Sequence, residues 1–194
     1  MEVIPAIHLN KSKKKINITF EGSFGEDKSY DGRMYIFDED GLVKNKPNFN
    51  FYQRYSSSYD LWVDAGPMAT GDIVDYFMAG ANAVILRMEL CKKLNLLDIK
   101  EMSENEIFLG LNLLEPSKID ENVLDNIDGV IVLNNRCEID LDCKYGNFVR
   151  ELSGKYKTYV YDSEINNIEY WKKRNVTGII VDKKYFGEFK RYES

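Results

Sequence analysis

From residue 59 onward the chain alternates between short β-branched or aromatic runs and stretches with helical spacing, and this alternation limits the fold more than any other feature. Y-D-L-W-V-D-A-G (59–66) reads as a strand ending in a Gly turn. T-G-D-I-V-D-Y-F-M-A-G (70–80) reads as a helix with Thr70 as N-cap, Ile73, Val74, Phe77 and Met78 on one face, and Gly80 at the stop. Strands are then expected at 81–87, 106–113, 128–135, 157–163 and 176–182. Helical segments are expected up to about residue 104 and at 120–127, 147–156 and 167–175. Upstream, E-V-I-P-A-I-H-L (2–9) and R-M-Y-I-F-D-E-D-G (33–41) read as strands, and N-F-N-F-Y-Q-R-Y (48–55) as a helix. Eight strands joined by helical crossovers imply a parallel sheet, and runs of consecutive apolar residues imply strands covered on both faces. The fold class expected is α/β, a closed (βα)8 barrel of the TIM type, although an open doubly wound sheet has the same local grammar.

At 194 residues the chain is shorter than typical barrels of roughly 250 residues. The missing length falls between the first two barrel strands. No amphipathic helix stands there; K-K-I-N-I-T-F (14–20) reads as an extra strand and 21–32 as a turn-rich loop, so a β-hairpin is expected in place of the first helix. No Pro/Ser-rich linker interrupts the chain, which reads as a single domain over 1–194. Hydrophobic residues make up 44% and charged residues 30%, a globular balance. The net charge of −6 argues against general binding to nucleic acid or anionic membranes, and K-S-K-K-K (11–15) reads as a solvated loop. No run is long enough for a membrane span and no signal peptide is evident. Cys91, Cys137 and Cys143 are odd in number and lack metal-ligand spacing, so reduced thiols in a cytoplasm are expected.

Three stretches carry a family likeness: V-I-P-A-I-H-L-N (3–10), M-Y-I-F-D-E-D-G-L (34–42), and L-W-V-D-A-G-P-M with D-I-V-D-Y-F-M-A-G-A-N-A-V-I-L (61–86). In order and spacing they resemble the histidine-biosynthesis isomerase family, which includes the phosphoribosylformimino-aminoimidazole-carboxamide ribotide isomerase and its cyclase relative. The D-A-G variant looks closer to a divergent branch than to the isomerase itself. The likeness favours a closed barrel. It also implies a site at the C-terminal ends of the strands. The family's first strand typically reads P-A-I-D-L and ends in a catalytic carboxylate, where this chain has His8. The second catalytic Asp matches Asn112 in L-G-L-N-L. An amide cannot titrate, whereas an imidazole exchanges protons near neutral pH. The family's phosphate-binding Gly turns are eroded. Of the turn after 59–64 only Gly66 survives, with Met68 at the Arg position. Arg87-Met88 stands for a G-T pair, Asp162-Ser163-Glu164 for S-G-G, and Asp182-Lys183 for a G-K-like pair. Carboxylates repel a dianion, so a smaller or singly anionic ligand is expected, with Arg87 suited to hold it and Lys183 as a partial compensation.

Other candidates follow from position. Asp38 and Asp40 lie in the second-strand D-x-D-G, where one is expected to be functional and the other to build the turn with Gly41. Asp64 reads as a general base or metal ligand, and equally as a cap for the helix near Thr70. Asp38, Asp64, Asp162 and Asp182 form an acidic rim that could hold a hard cation, although a solvated rim is the preferred reading. Asn134, Asn135 and Arg136 read as ligand contacts or turn residues, and Tyr159, Tyr161, Trp171, Phe49 and Phe51 as packing residues. The resulting expectation assigns catalysis to His8, Asn112 and Asp64, and ligand binding to Arg87, Gly66, Asp38, Asp40 and Lys183. It includes no metal and no cofactor. It names a small anionic metabolite as partner, with proton-transfer isomerase or lyase chemistry, and leaves self-association open. The alternative is a non-catalytic paralogue kept as a binding or assembly scaffold.

Overall fold

A computed structural model describes residues 1–10, 17–18, 32–88, 94–112, 121–133 and 144–193. Eight parallel strands close into a barrel: β1 (Glu2–Asn10), β3 (Arg33–Asp38), β4 (Asp60–Asp64), β5 (Ala81–Arg87), β6 (Glu106–Asn112), β7 (Gly129–Leu133), β8 (Lys157–Tyr161) and β9 (Gly178–Asp182). Each pairs with the next in sequence, and β9 returns to β1 with Glu2 opposite Gly178 and Ala6 opposite Asp182. An open sheet is thereby excluded. The extra strand is present as β2 (Asn17–Ile18), antiparallel to the end of β1 with Leu9 opposite Ile18. The rest of the expected hairpin lies outside the described residues.

Helices intervene between successive strands from β3 onward. They are α1 (Glu39–Lys44), α2 (Phe49–Tyr55), α3 (Thr70–Met78), α4 (Leu96–Met102), α5 (Glu121–Leu124), α6 (Lys144–Ser153), α7 (Ile168–Lys172) and, after β9, α8 (Lys183–Phe189). Three expectations need correction. The D-E-D-G stretch is not strand: Asp38 ends β3 and its carboxylate accepts from the Gly41 N–H at 3.1 Å, starting α1 at Glu39. Thr70 is the first helical residue of α3 rather than its cap; Asp72 closes that end instead, its Oδ2 accepting from the N–H groups of Met68 at 2.8 Å and Ala69 at 2.9 Å. Met78 is 79% exposed, while Tyr76, one position off the expected stripe, is buried beside Ile73. The α8 helix is additional to the expected elements; it docks through Phe189, which is buried.

Strand residues divide by parity into two layers, since alternate side chains point to opposite faces. Val3, Ile7, Met34, Ile36, Val63 and Val84 face outward against the helices. Ile4, Ala6, Tyr35, Trp62, Phe108, Tyr159 and Ile180 fill the barrel. Trp62 and Phe108 stack at 4.4 Å between ring centroids, and Tyr159 stands edge-on to them at 4.9 and 5.8 Å. Glycines make room for these rings. A Cβ at Gly178 would lie 2.9 Å from Tyr159 ring carbons, and one at Gly129 would lie 2.9 Å from Phe108. The N-terminal end is closed by ionic contacts. Arg33 donates to Glu2 at 2.7 and 2.9 Å and lies 5.3 Å from the Trp62 ring, while Lys157 pairs with Glu106 at 3.0 Å. Among the described residues no helix is long and apolar enough to cross a membrane.

Candidate functional site

Continuing the inward parity to the C-terminal strand ends brings His8, Phe37, Asp64, Arg87, Asn112, Leu133, Tyr161 and Asp182 to the barrel mouth. His8 is the only histidine in the chain, and its side chain is 49% exposed. Its Nε2 lies 2.9 Å from the Tyr161 Oη and 3.4 Å from Asp182 Oδ1, and the Tyr161 hydroxyl donates to the same Asp182 oxygen. The hydrogen bond with His8, then that with Tyr161, outweighs partial burial and holds the Asp182 carboxyl down at about 2. Phe37 packs against the imidazole at 5.1 Å between centroids.

A second cluster adjoins the first. Asp64 is fully buried, and Arg87 grips it with a two-pronged contact: Nε to Oδ1 at 3.0 Å and Nη2 to Oδ2 at 2.5 Å. Tyr35 also donates to Asp64 Oδ2. Burial pushes the Asp64 carboxyl above its ordinary value, and Arg87 and Tyr35 oppose that shift. Burial likewise raises the Tyr35 phenol well above its own, with the Asp64 charge adding to it. A guanidinium fork against both carboxylate oxygens is the geometry of an ionised pair, so Asp64 aligns Arg87 and balances its charge. Asp64 does not cap α3. Phe37 joins the clusters, its ring 5.7 Å from the Arg87 guanidinium carbon, and Tyr35 lies 6.1 Å from Tyr161.

The expected acidic rim divides into inward and outward members. Asp38 and Asp162 have the opposite parity from Asp64 and Asp182 and face the helix layer. Asp38 accepts from the backbone N–H groups of Gly41 and Asn48, from Asn48 Nδ2 at 2.7 Å and from Tyr52 Oη. Asp162 accepts from the Glu164 N–H at 2.9 Å, Asn167 Nδ2 at 2.9 Å and Trp171 Nε1 at 2.7 Å. Both carboxylates are spent on organising the segment that follows them, so they form no common site with Asp64 and Asp182. Asp40 sits in α1, buried, and pairs with Lys44 at 2.6 Å. Among the described residues no group of three or more His, Cys, Asp or Glu side chains is placed to hold a metal ion.

The remaining candidates are placed as follows. Asn112 is half-buried and inward-facing at the end of β6. Gly66 adopts φ +64°, a left-handed turn in which a Cβ would come within 2.9 Å of Leu42. Lys183 begins α8 beside Asp182, and partial burial lowers its ammonium pKa. The three cysteines and Asn134, Asn135 and Arg136 lie outside the described residues. Tyr161 was missed as a site residue. Its alternation with Tyr159 in Y-V-Y-D puts both rings in the barrel, and being one step nearer the mouth gives Tyr161 a polar partner. Comparison with protein-family models and with curated proteins finds no match for this chain.

Proposed function

We propose that this chain is a divergent (βα)8 barrel of the histidine-isomerase kind, and that it catalyses proton transfer on a small anionic metabolite held at the C-terminal mouth. One observation carries the reading: the single imidazole of the chain lies half-exposed at that mouth, with Nε2 against Tyr161 and Asp182. An imidazole can take up a proton and return it, and the two partners behind Nε2 hold the ring in place for that task. In this scheme His8 removes a proton from a carbon beside a carbonyl. The bond's electron pair stays on the substrate as an enolate, and His8 returns the proton to a neighbouring atom. Asn112 orients the substrate's polar groups. Arg87, aligned by Asp64, supplies the positive charge that attracts the anion, and Lys183 adds to it.

The decisive assay is turnover of a panel of ribotides and smaller sugar phosphates by the native protein and by His8→Ala. A loss of activity on the order of 10²–10⁴-fold in the variant is expected for removal of a general acid–base group. One observation favours a second reading, a non-catalytic scaffold: Arg87 is already matched by a buried carboxylate and spends two donors on it. Equal rates from the two proteins, or none from either, remove His8 from the mechanism and leave that scaffold reading in place.

A further inference from the structure

We infer that Tyr161 and Asp182 fix His8 as the Nε2–H tautomer, leaving Nδ1 as the atom that exchanges protons with a ligand in the mouth. The chemical consequence rests on the acid–base reading of His8 above; the tautomer itself follows from counting donors. Tyr161 has one hydroxyl proton, and it goes to Asp182 Oδ1. An ionised carboxylate only accepts. The 2.9 Å contact between His8 Nε2 and Tyr161 Oη therefore needs its proton from the imidazole. The same N–H lies 3.4 Å from Asp182 Oδ1, so it serves two acceptors at once. In the opposite tautomer Nε2 would turn a lone pair towards a carboxylate oxygen and towards a hydroxyl oxygen whose proton is already committed. Both contacts would be repulsive, and Phe37, 5.1 Å from the ring, restricts the rotation that would relieve them.

Among the described residues no hydrogen bond to Nδ1 is found, and the half-exposed ring opens onto the mouth. A base using Nδ1 becomes an imidazolium whose other N–H is already aimed at a carboxylate. Tyr161 and Asp182 are thus positioning residues that act through His8.

Because the chain holds one histidine, the side-chain nitrogen spectrum of ¹⁵N-labelled protein contains a single imidazole. Long-range proton–nitrogen correlations, recorded above the midpoint of the ring's titration, distinguish a protonated Nε2 from a protonated Nδ1. The native protein should show the Nε2–H pattern alone. Tyr161→Phe, and Asp182→Asn combined with it, should shift the ring towards the tautomer mixture of a short histidine peptide. A protonated Nδ1 in the native protein would overturn the inference, as would a tautomer ratio unmoved when both partners are removed. The native spectrum needs no substrate. A fixed tautomer without turnover of any ribotide would overturn the catalytic reading alone.

Discussion

At the scale of single residues, the mouth is governed by where each carboxylate points. Asp182 and Asp64 face inward and meet cationic or protonatable partners, while Asp38 and Asp162 face outward and collect N–H and O–H donors. Asp182 sets a pH dependence. Its folded carboxyl is held at about 2, below the ordinary value of about 3.9 expected when unfolded. The stabilisation it supplies is therefore complete above about pH 4 and is lost as pH falls towards 2. His8 is the largest cause of the depression, so His8→Ala should return the Asp182 carboxyl towards the ordinary value and move that loss to higher pH. Carbon-detected titration of the Asp182 carboxyl checks this; an unchanged titration would show that the imidazole is not its partner.

At the scale of elements, strand ends and the loops after them have separate tasks. Asp162 ties the β8–α7 connection to Trp171, which is buried against the outer core. Asp162→Ala leaves the buried indole N–H without an acceptor and should cost about 1–3 kcal/mol, read from a denaturant midpoint. Asp162→Asn, which keeps one carbonyl oxygen, should cost less. Neither should move the His8 imidazole signals, because Asp162 lies on the other side of the sheet. A shift in them would restore the single acidic rim that the sequence suggested. The α3 helix shows the same separation. Its stop at Gly80 (φ +100°) was legible, whereas the choice of Tyr76 over Met78 for burial came from how the helix is seated on the barrel.

At the scale of the whole molecule, the barrel is narrow and filled by large rings opposite missing side chains. Gly178→Ala would force a methyl to within 2.9 Å of both the Tyr159 ring and the Glu2 carbonyl oxygen, and should cost about 1–3 kcal/mol of overpacking. Trp62→Ala empties the centre of the same stack and should cost about 3–5 kcal/mol. Urea unfolding of the two variants tests whether the interior is as close-packed as the ring contacts indicate; a neutral Gly178→Ala would show slack at that layer. The sequence by itself determined the eight strands and the parallel sheet that helical crossovers impose, because apolar runs of strand length between helical periods can bury their backbone in few other ways. It also placed His8 at the end of the first strand. The closed strand order and the helices α1 and α8 were settled only by the tertiary structure. Only the tertiary structure decided which strand-end residues share the mouth. Strands buried on both faces have no polar–apolar alternation, so nothing in the endings I-F-D, W-V-D, Y-V-Y-D or I-V-D marks which side the last carboxylate takes. Closing the ring sets that parity, and with it joins Tyr161 and Asp182 to His8 and turns Asp38 and Asp162 away.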